Sequence, residues 1–383
     1  MYEPGGGALH GYADLPLHGG KVPPWMLKFM ERMTAAIAEA IVEIHGPKAL
    51  VRGLADPVWF QAFNNVIGMD WDSSGSTTVL LGLLKSVTWR NPSLGVLVLG
   101  GKGQRMRLVP EEAEKAGEIL GVDPERVRFF SRAAARLDSA LLQDGYTLYH
   151  HAVILSRGSM IVVQQGMNDE LGMARRYHLD KASVEEPHNA VAGTPGEAIN
   201  ATARESREAR RLYVDLLNED PRRLTRLIGE ASSMLKPNLL QYTSNARSPP
   251  RDRPYYRPVV PDRRLRRQLE ELARNPPSSE EDLLLVPGLG PKIIRALALV
   301  ADLIYSVPTS TRDPVSHPLD PFLYAYAVGG KDGVPYPYDR ETVERVTLTL
   351  EEALREARLG SREKMRALER LRALVRGTPR GRV

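Results

Sequence analysis

The sequence predicts an α/β or α+β domain at the N-terminus, followed by an all-α C-terminal domain in which two short helices meet at a glycine hairpin. Short apolar runs alternate with helix-period stretches up to about residue 192, and from about residue 197 the pattern turns charged and helix-favouring. Gly288 and Gly290 then separate two apolar helical segments. With 383 residues the chain exceeds the roughly 250–300 that a single core organises. The expected division is residues 1–195, a connector and strap at 196–262, and a helical domain at 263–383.

In the first part, polar or proline starts predict helices over 24–44, 77–87, 110–120 and 131–142. Leu94-Gly95-Val96-Leu97-Val98-Leu99 reads as a buried strand ending at Gly100-Gly101. Stretches 146–155 and 160–164, joined by Ser156-Arg157-Gly158-Ser159, read as a hairpin. Beyond the turn at Thr194–Gly196, residues 197–235 read as helical. The strap at 236–262 holds Pro249, Pro250, Pro254 and Pro258, which forbid regular structure, and its Arg253 and neighbouring tyrosines suit phosphate contact and base stacking. A plain linker is the competing reading of that strap. Helices over 340–357 and 361–375 and a basic tail at 376–382 are expected to close the chain.

The sequence has no cysteine, which excludes disulfides, thiolate nucleophiles, iron-sulfur clusters and cysteine-based zinc sites. No apolar stretch reaches the ~18 residues of a membrane span, and Met1–Gly7 offers no secretory pattern, so no membrane partner and a cytoplasmic location are expected. The net charge of +5 is modest, but arginines concentrate after Ala203, so the second half is the half that suits an anionic partner. The arginine excess, the prolines and the missing cysteine also hint at a thermophile.

Ser278 and Glu281 stand at capping-box spacing before Leu283-Leu284-Leu285, which predicts a short helix. Val286-Pro287-Gly288-Leu289-Gly290-Pro291-Lys292 follows, and Ile293 to Ala301 runs at helical spacing. Gly288 and Gly290 allow a tight turn and close approach of another chain, the new helix start presents bare amides, and Lys292 adds a point charge. A phosphate fits there, with Arg295 one turn further on. Residues 278–305 resemble the helix-hairpin-helix of DNA repair and recombination proteins, which implies a DNA partner, duplex, damaged or branched. They also resemble bifunctional DNA glycosylases, whose Schiff-base lysine stands where Lys292 does. That likeness implies a catalytic aspartate further on, for which Asp313 and Asp320 are the candidates. Lys331, in a stretch with four tyrosines and several glycines, joins the candidate phosphate contacts.

The first part carries a second constellation. Asp70 and Asp72 precede a hydroxyl-rich helix start, and Gly100-Gly101-Lys102-Gly103-Gln104-Arg105 follows a strand, so that Lys102 and Arg105 are further candidate phosphate contacts. The latter run lacks the spacing of an ATP-binding loop. Asp144, His150 and His151 lie near the predicted hairpin. On a strand His150 and His151 face opposite sides, so at most one joins a given site. Asp70, Asp72, Asp144 and His151 are the candidate metal ligands, with Asp72, Asp144 and His150 as candidate catalytic groups. Mg2+ or Mn2+ would serve if the chain is a nuclease. Polar side chains that merely brace loops are the alternative.

Over nearly its whole length the chain resembles an uncharacterised archaeal and bacterial family described only as a domain of unknown function. The likeness rests on Ala13 to Gly20, Trp59-Phe60-Gln61, Asp70 to Thr78, Gln143 to Tyr146, Gln164 to Met167, Ala174 to His178 and Gly329 to Gly333, with Asp72 standing where the family pattern has His. The expected role is DNA repair or processing. Base excision with strand scission at Lys292 leads, a metal-dependent structure-specific nuclease follows, and a non-catalytic DNA-binding adaptor is the third reading.

Overall fold

A computed structural model describes residues 15–16, 22, 24–67, 69, 74–235 and 257–316. Four helices come first: α1 (Pro24–His45), α2 (Pro47–Ala55), α3 (Pro57–Val66) and α4 (Gly75–Arg90). The first three begin on proline, whose fixed φ and missing N–H cost nothing in a first turn. Asp56 caps α3 by accepting from the amides of Val58 and Trp59 at 2.8 and 3.1 Å. Helices α2 and α3 fall where no helix was expected, and the Gly46-Pro47 and Asp56-Pro57 steps are the punctuation that separates them.

Strands β1 (Leu15–Pro16), β2 (Val96–Lys102), β4 (Thr147–Ser156), β5 (Ser159–Asn168), β6 (Met173–Leu179) and β7 (His188–Ala192) form an antiparallel sheet in the order β1-β6-β5-β4-β2, with β7 also beside β6. The expected strand at 94–99 begins later, because Pro92–Leu94 forms a tight helical turn and Gly95 takes a left-handed φ of 66°. Helices cover both faces of the sheet. On one, α1 to α4 pack on Val96, Val98, Ala152, Ile154, Ile161 and Val163. On the other, α5 (Val109–Leu120) and α6 (Pro124–Arg136) pack on Leu97, Leu99, Val153, Leu155 and Val162. Burial on both faces explains why β4 reads as a continuous apolar run rather than an alternating one.

The helix expected over 131–142 begins earlier, at Pro124, because the Asp123 side chain accepts from the Glu125 amide. It ends in a π-helical turn, Leu137–Leu141. A small second sheet joins β3 (Leu142–Gln143), β8 (Glu197–Asn200) and β9 (Ser310–Arg312). Strand β8 corrects the helical reading of residue 197 onward, since its backbone is taken by β3 on one side and β9 on the other. Helices α7 (Arg207–Leu217), α8 (Pro221–Met234), α9 (Arg263–Leu272) and α10 (Pro291–Leu303) follow. Their apolar side chains, from Ala209 to Ala301, belong to the same core as Leu97 and Val153, so the interior continues across residue 195. The strap at 236–256 and the closing helices expected after residue 339 lie outside the described residues.

Candidate functional site

At the glycine hairpin, a 3-10 turn, Glu281–Leu284, replaces the short helix expected there. The capping partner is not Glu281 but Asp282, whose carboxylate accepts from the Ser278 amide and hydroxyl at 2.8 and 2.6 Å. Glu281 instead accepts from the Val184 amide. Gly288 has a φ of 84° with open space around its α-carbon, and Leu289 is buried as an anchor. Pro287, Gly288, Pro291 and Lys292 are exposed and Gly290 is half-buried. Lys292 donates to Asp262, the N-cap of α9, at 2.7 Å, which sets the N-termini of α9 and α10 side by side. Arg263 and Arg264 are exposed on that same α9 start. Arg295 turns inward and donates to Gln143 at 3.1 Å, while Gln143 donates to the carbonyl of Pro291.

Asp313 is not near Lys292 by any contact. With Asp144 it clamps the buried Arg175 from two sides, at 2.8 Å each. Arg175 also donates to the Thr194 carbonyl, Tyr177 donates to Asp144 at 2.7 Å, and the Gly196 amide donates to Asp313 at 2.7 Å. Burial disfavours the charge on Arg175, but Asp144, Tyr177 and Asp313 outweigh it, and its pKa rises. The clamp pins β9 to the large sheet. Both oxygens of Asp144 are occupied, the second by the Tyr146 amide.

His150 and His151 do lie on opposite faces. On the α6 face a chain of bonds runs from Ser131 to His151 Nε2 (2.8 Å) and from His151 Nδ1 to Gln164 (2.7 Å). It continues from Gln164 to Asp138 (2.5 Å), which also receives His188 (2.5 Å). The Gln164 oxygen can only accept, so His151 carries its proton on Nδ1 and its Nε2 accepts from Ser131. Burial pushes the Asp138 carboxyl up, against the pull of His188. Asp138, His188 and Ser131 were not singled out in the sequence, and the π-turn that aims Asp138 inward leaves no local signal. Both nitrogens of His151 are engaged, and among the described residues no three His, Asp or Glu side chains gather as a metal site requires. Asp70 and Asp72, like Arg253, Asp320 and Lys331, lie outside the described residues.

On the α1–α4 face, strand register sets Lys102, His150, Gln165 and Arg176 in one row across four strands. A bulge between Leu148 and His150 brings Tyr149 to the same side, where its hydroxyl accepts from Gln165 at 2.7 Å. Gln165 also donates to the Ser74 carbonyl at 3.0 Å, which fixes its amide at the start of α4. Arg176 is fully buried over the Phe60 ring and donates to three neutral acceptors: His178 at 3.1 Å, and Thr77 and Gln61 at 3.4 Å. No carboxylate among the described residues pairs with it, and burial brings its pKa down to about 9. Both nitrogens of His150, the Gln165 oxygen and the Ser76 hydroxyl are buried without a partner. Burial, with His151 and the lysines Lys102 and Lys85 adding to it, lowers His150 to about 3, so its imidazole is neutral.

Lys102 and Arg105 are exposed. The amide of Gly100 is not open to a phosphate, because Glu112 accepts from it at 2.7 Å and is itself held by Lys85. A cleft of about 800 Å³ at the far end of β4 and β5 is lined by Arg52, Arg126, Arg157 and Lys181 with Asp123 and Asp180, away from both constellations. No helix among the described residues is long and apolar enough to cross a membrane.

A family model described as "Protein of unknown function (DUF763)" matches residues 11–338, and the chain belongs to that family. No curated protein and no solved structure matches it.

Proposed function

We propose that the chain binds the sugar-phosphate backbone of DNA at the helix-hairpin-helix element of residues 278–305, in a role in DNA repair or processing. The observation that carries this reading is the Lys292–Asp262 contact at 2.7 Å, which places two helix N-termini, an exposed left-handed glycine and the exposed Arg263 and Arg264 on one patch. The start of α10 offers unpaired amides and a partial positive charge, while that of α9 is capped by Asp262, and the chemistry of the patch is phosphate binding. Asp262 competes for Lys292. The pair is about half exposed, and exposed ion pairs are weak, so a phosphate can take its place.

Between the enzymatic readings, the surroundings of Lys292 favour phosphate contact over nucleophilic attack. A nucleophilic amine needs burial or neighbouring positive charge to hold it neutral. Lys292 is exposed and faces a carboxylate. Borohydride trapping on an abasic duplex is expected to yield no Lys292-dependent adduct, and an adduct lost in Lys292→Ala would restore the lyase reading.

The binding test is fluorescence anisotropy with duplex, forked and single-stranded DNA at low ionic strength. Wild type is expected to bind with a salt dependence, and Lys292→Glu to weaken all substrates alike and to lower the salt slope by about 1–2. Failure of wild type to bind any of the three would overturn the proposal.

A further inference from the structure

We propose that the start of α4, together with Tyr149, His150, Gln165 and Arg176, forms a binding site for a phosphate-type oxyanion. Burying a guanidinium is costly unless it meets an anion, and buried polar atoms in folded proteins are rarely left without partners. Here both rules are broken within one cluster. Arg176 is 0% exposed with only neutral acceptors around it, and His150 at 1%, Gln165 at 0% and Ser76 at 0% each keep unpartnered polar atoms.

The directions of these groups converge. The Gln165 amide is tied to the Ser74 carbonyl and Arg176 to the Thr77 hydroxyl, so both stand at the first turn of α4. That helix has 16 residues, its N-cap residue Ser74 makes no side-chain cap bond, and the amides of Ser76 and Thr77 lack intrahelical acceptors by position. Tyr149 adds a donor. Its oxygen accepts from Gln165 at 2.7 Å, which leaves its own proton to donate.

The net character is cationic. Arg176 is a full charge, the helix start adds a partial one, and Lys102 lies 5.7 Å from the centre of the Tyr149 ring. A tetrahedral oxyanion carries several acceptor oxygens and could take the guanidinium, the Tyr149 hydroxyl, an imidazole N–H and helix amides at once. If it keeps one proton, the Gln165 oxygen can accept it. The source is either free phosphate or the phosphate group of a larger molecule. This site is independent of the glycine hairpin.

The test is thermal unfolding and calorimetric titration of the full chain with inorganic phosphate against sodium chloride at matched ionic strength. Wild type is expected to show a saturable rise in Tm and a defined Kd. Tyr149→Phe and Arg176→Gln should each weaken phosphate about ten- to a hundredfold, the scale of a charge-assisted hydrogen bond. Loss of phosphate binding in Tyr149→Phe and Arg176→Gln assigns it to this site and not to the glycine hairpin, so failure here and failure of the DNA-binding reading are read separately. Should Arg176→Gln fail to fold, as judged by circular dichroism, Tyr149→Phe decides. In a second arm, binding of inorganic phosphate alone identifies a free ion as the ligand, and binding of adenosine 5′-monophosphate identifies a phosphorylated molecule. Absence of saturable binding by either probe, or equal affinity in wild type and Tyr149→Phe, overturns the proposal.

Discussion

Replacing Asp313 by Asn separates a structural carboxylate from a chemical one. The Asp313 carboxylate is 4% exposed and holds Arg175 through contacts of 2.8 and 3.2 Å, and it also accepts from the amides of Gly196 and Val315 at 2.7 and 3.1 Å. Asparagine keeps the shape but removes the charge and turns one acceptor into a donor facing a guanidinium. Breaking a buried pair in this way costs roughly 3–5 kcal/mol. Asp144 still holds Arg175 from its other side at 2.8 Å, so the lower end applies. At roughly 2–4 °C per kcal/mol for a domain of a couple of hundred residues, Tm should fall by roughly 6–12 °C. The assay is differential scanning calorimetry of wild type, Asp313→Asn, Arg175→Met and the double variant. The two substitutions should be strongly non-additive, because once the cation is gone the remaining loss at Asp313 is small. A variant that melts within about 2 °C of wild type yet loses a DNA-processing activity would refute the structural assignment and return Asp313 to the chemistry.

Stability should fall with acidification through His150. Its pKa is lowered in the fold from 6.5 to about 3, so its contribution is intact above pH 6.5 and is lost as pH drops toward the folded value, because the unfolded chain takes up a proton that the folded one refuses. The slope is about 1.4 kcal/mol per pH unit, or ~2 kcal/mol between pH 6.5 and 5. Urea unfolding at the two pH values measures it, and His150→Gln should flatten the profile in part, with the similarly lowered His151 supplying the rest. Gly100→Ala should destabilise severely, by roughly 3 kcal/mol or more, since its φ is 83° and the new Cβ would sit 2.4 Å from the His151 carbonyl oxygen. Gly103→Ala is the control: its φ is 60° with nothing within 4 Å, so about 1–2 kcal/mol of backbone strain is the whole expected cost in chemical denaturation. Gly288→Val should lower stability by at least about 1–2 kcal/mol, since a β-branched residue is strained at a φ of 84° even in open space, and should weaken DNA binding in the anisotropy assay because the hairpin geometry is disturbed. Unaltered binding in a folded Gly288→Val chain would count against the hairpin as the contact.

Local chemistry made part of this fold legible from the residues alone. Prolines placed the starts of α1 and α5, alternation separated His150 from His151, and the spaced pair Gly288 and Gly290 announced the turn between two apolar segments. Each depends on residues a few positions apart. Which partner each polar group finds depends instead on residues far apart in the chain. Arg175 meets Asp144 across 31 positions and Asp313 across 138, and Arg176 reaches Gln61 across 115. Neighbours in the chain, Arg175 and Arg176 emerge on opposite faces of β6, one clamped by two carboxylates and the other left among neutral acceptors. The cause is strand register and burial: pairing across the sheet brings distant residues into one row, and removal from water then makes the presence or absence of a counter-charge the dominant energy.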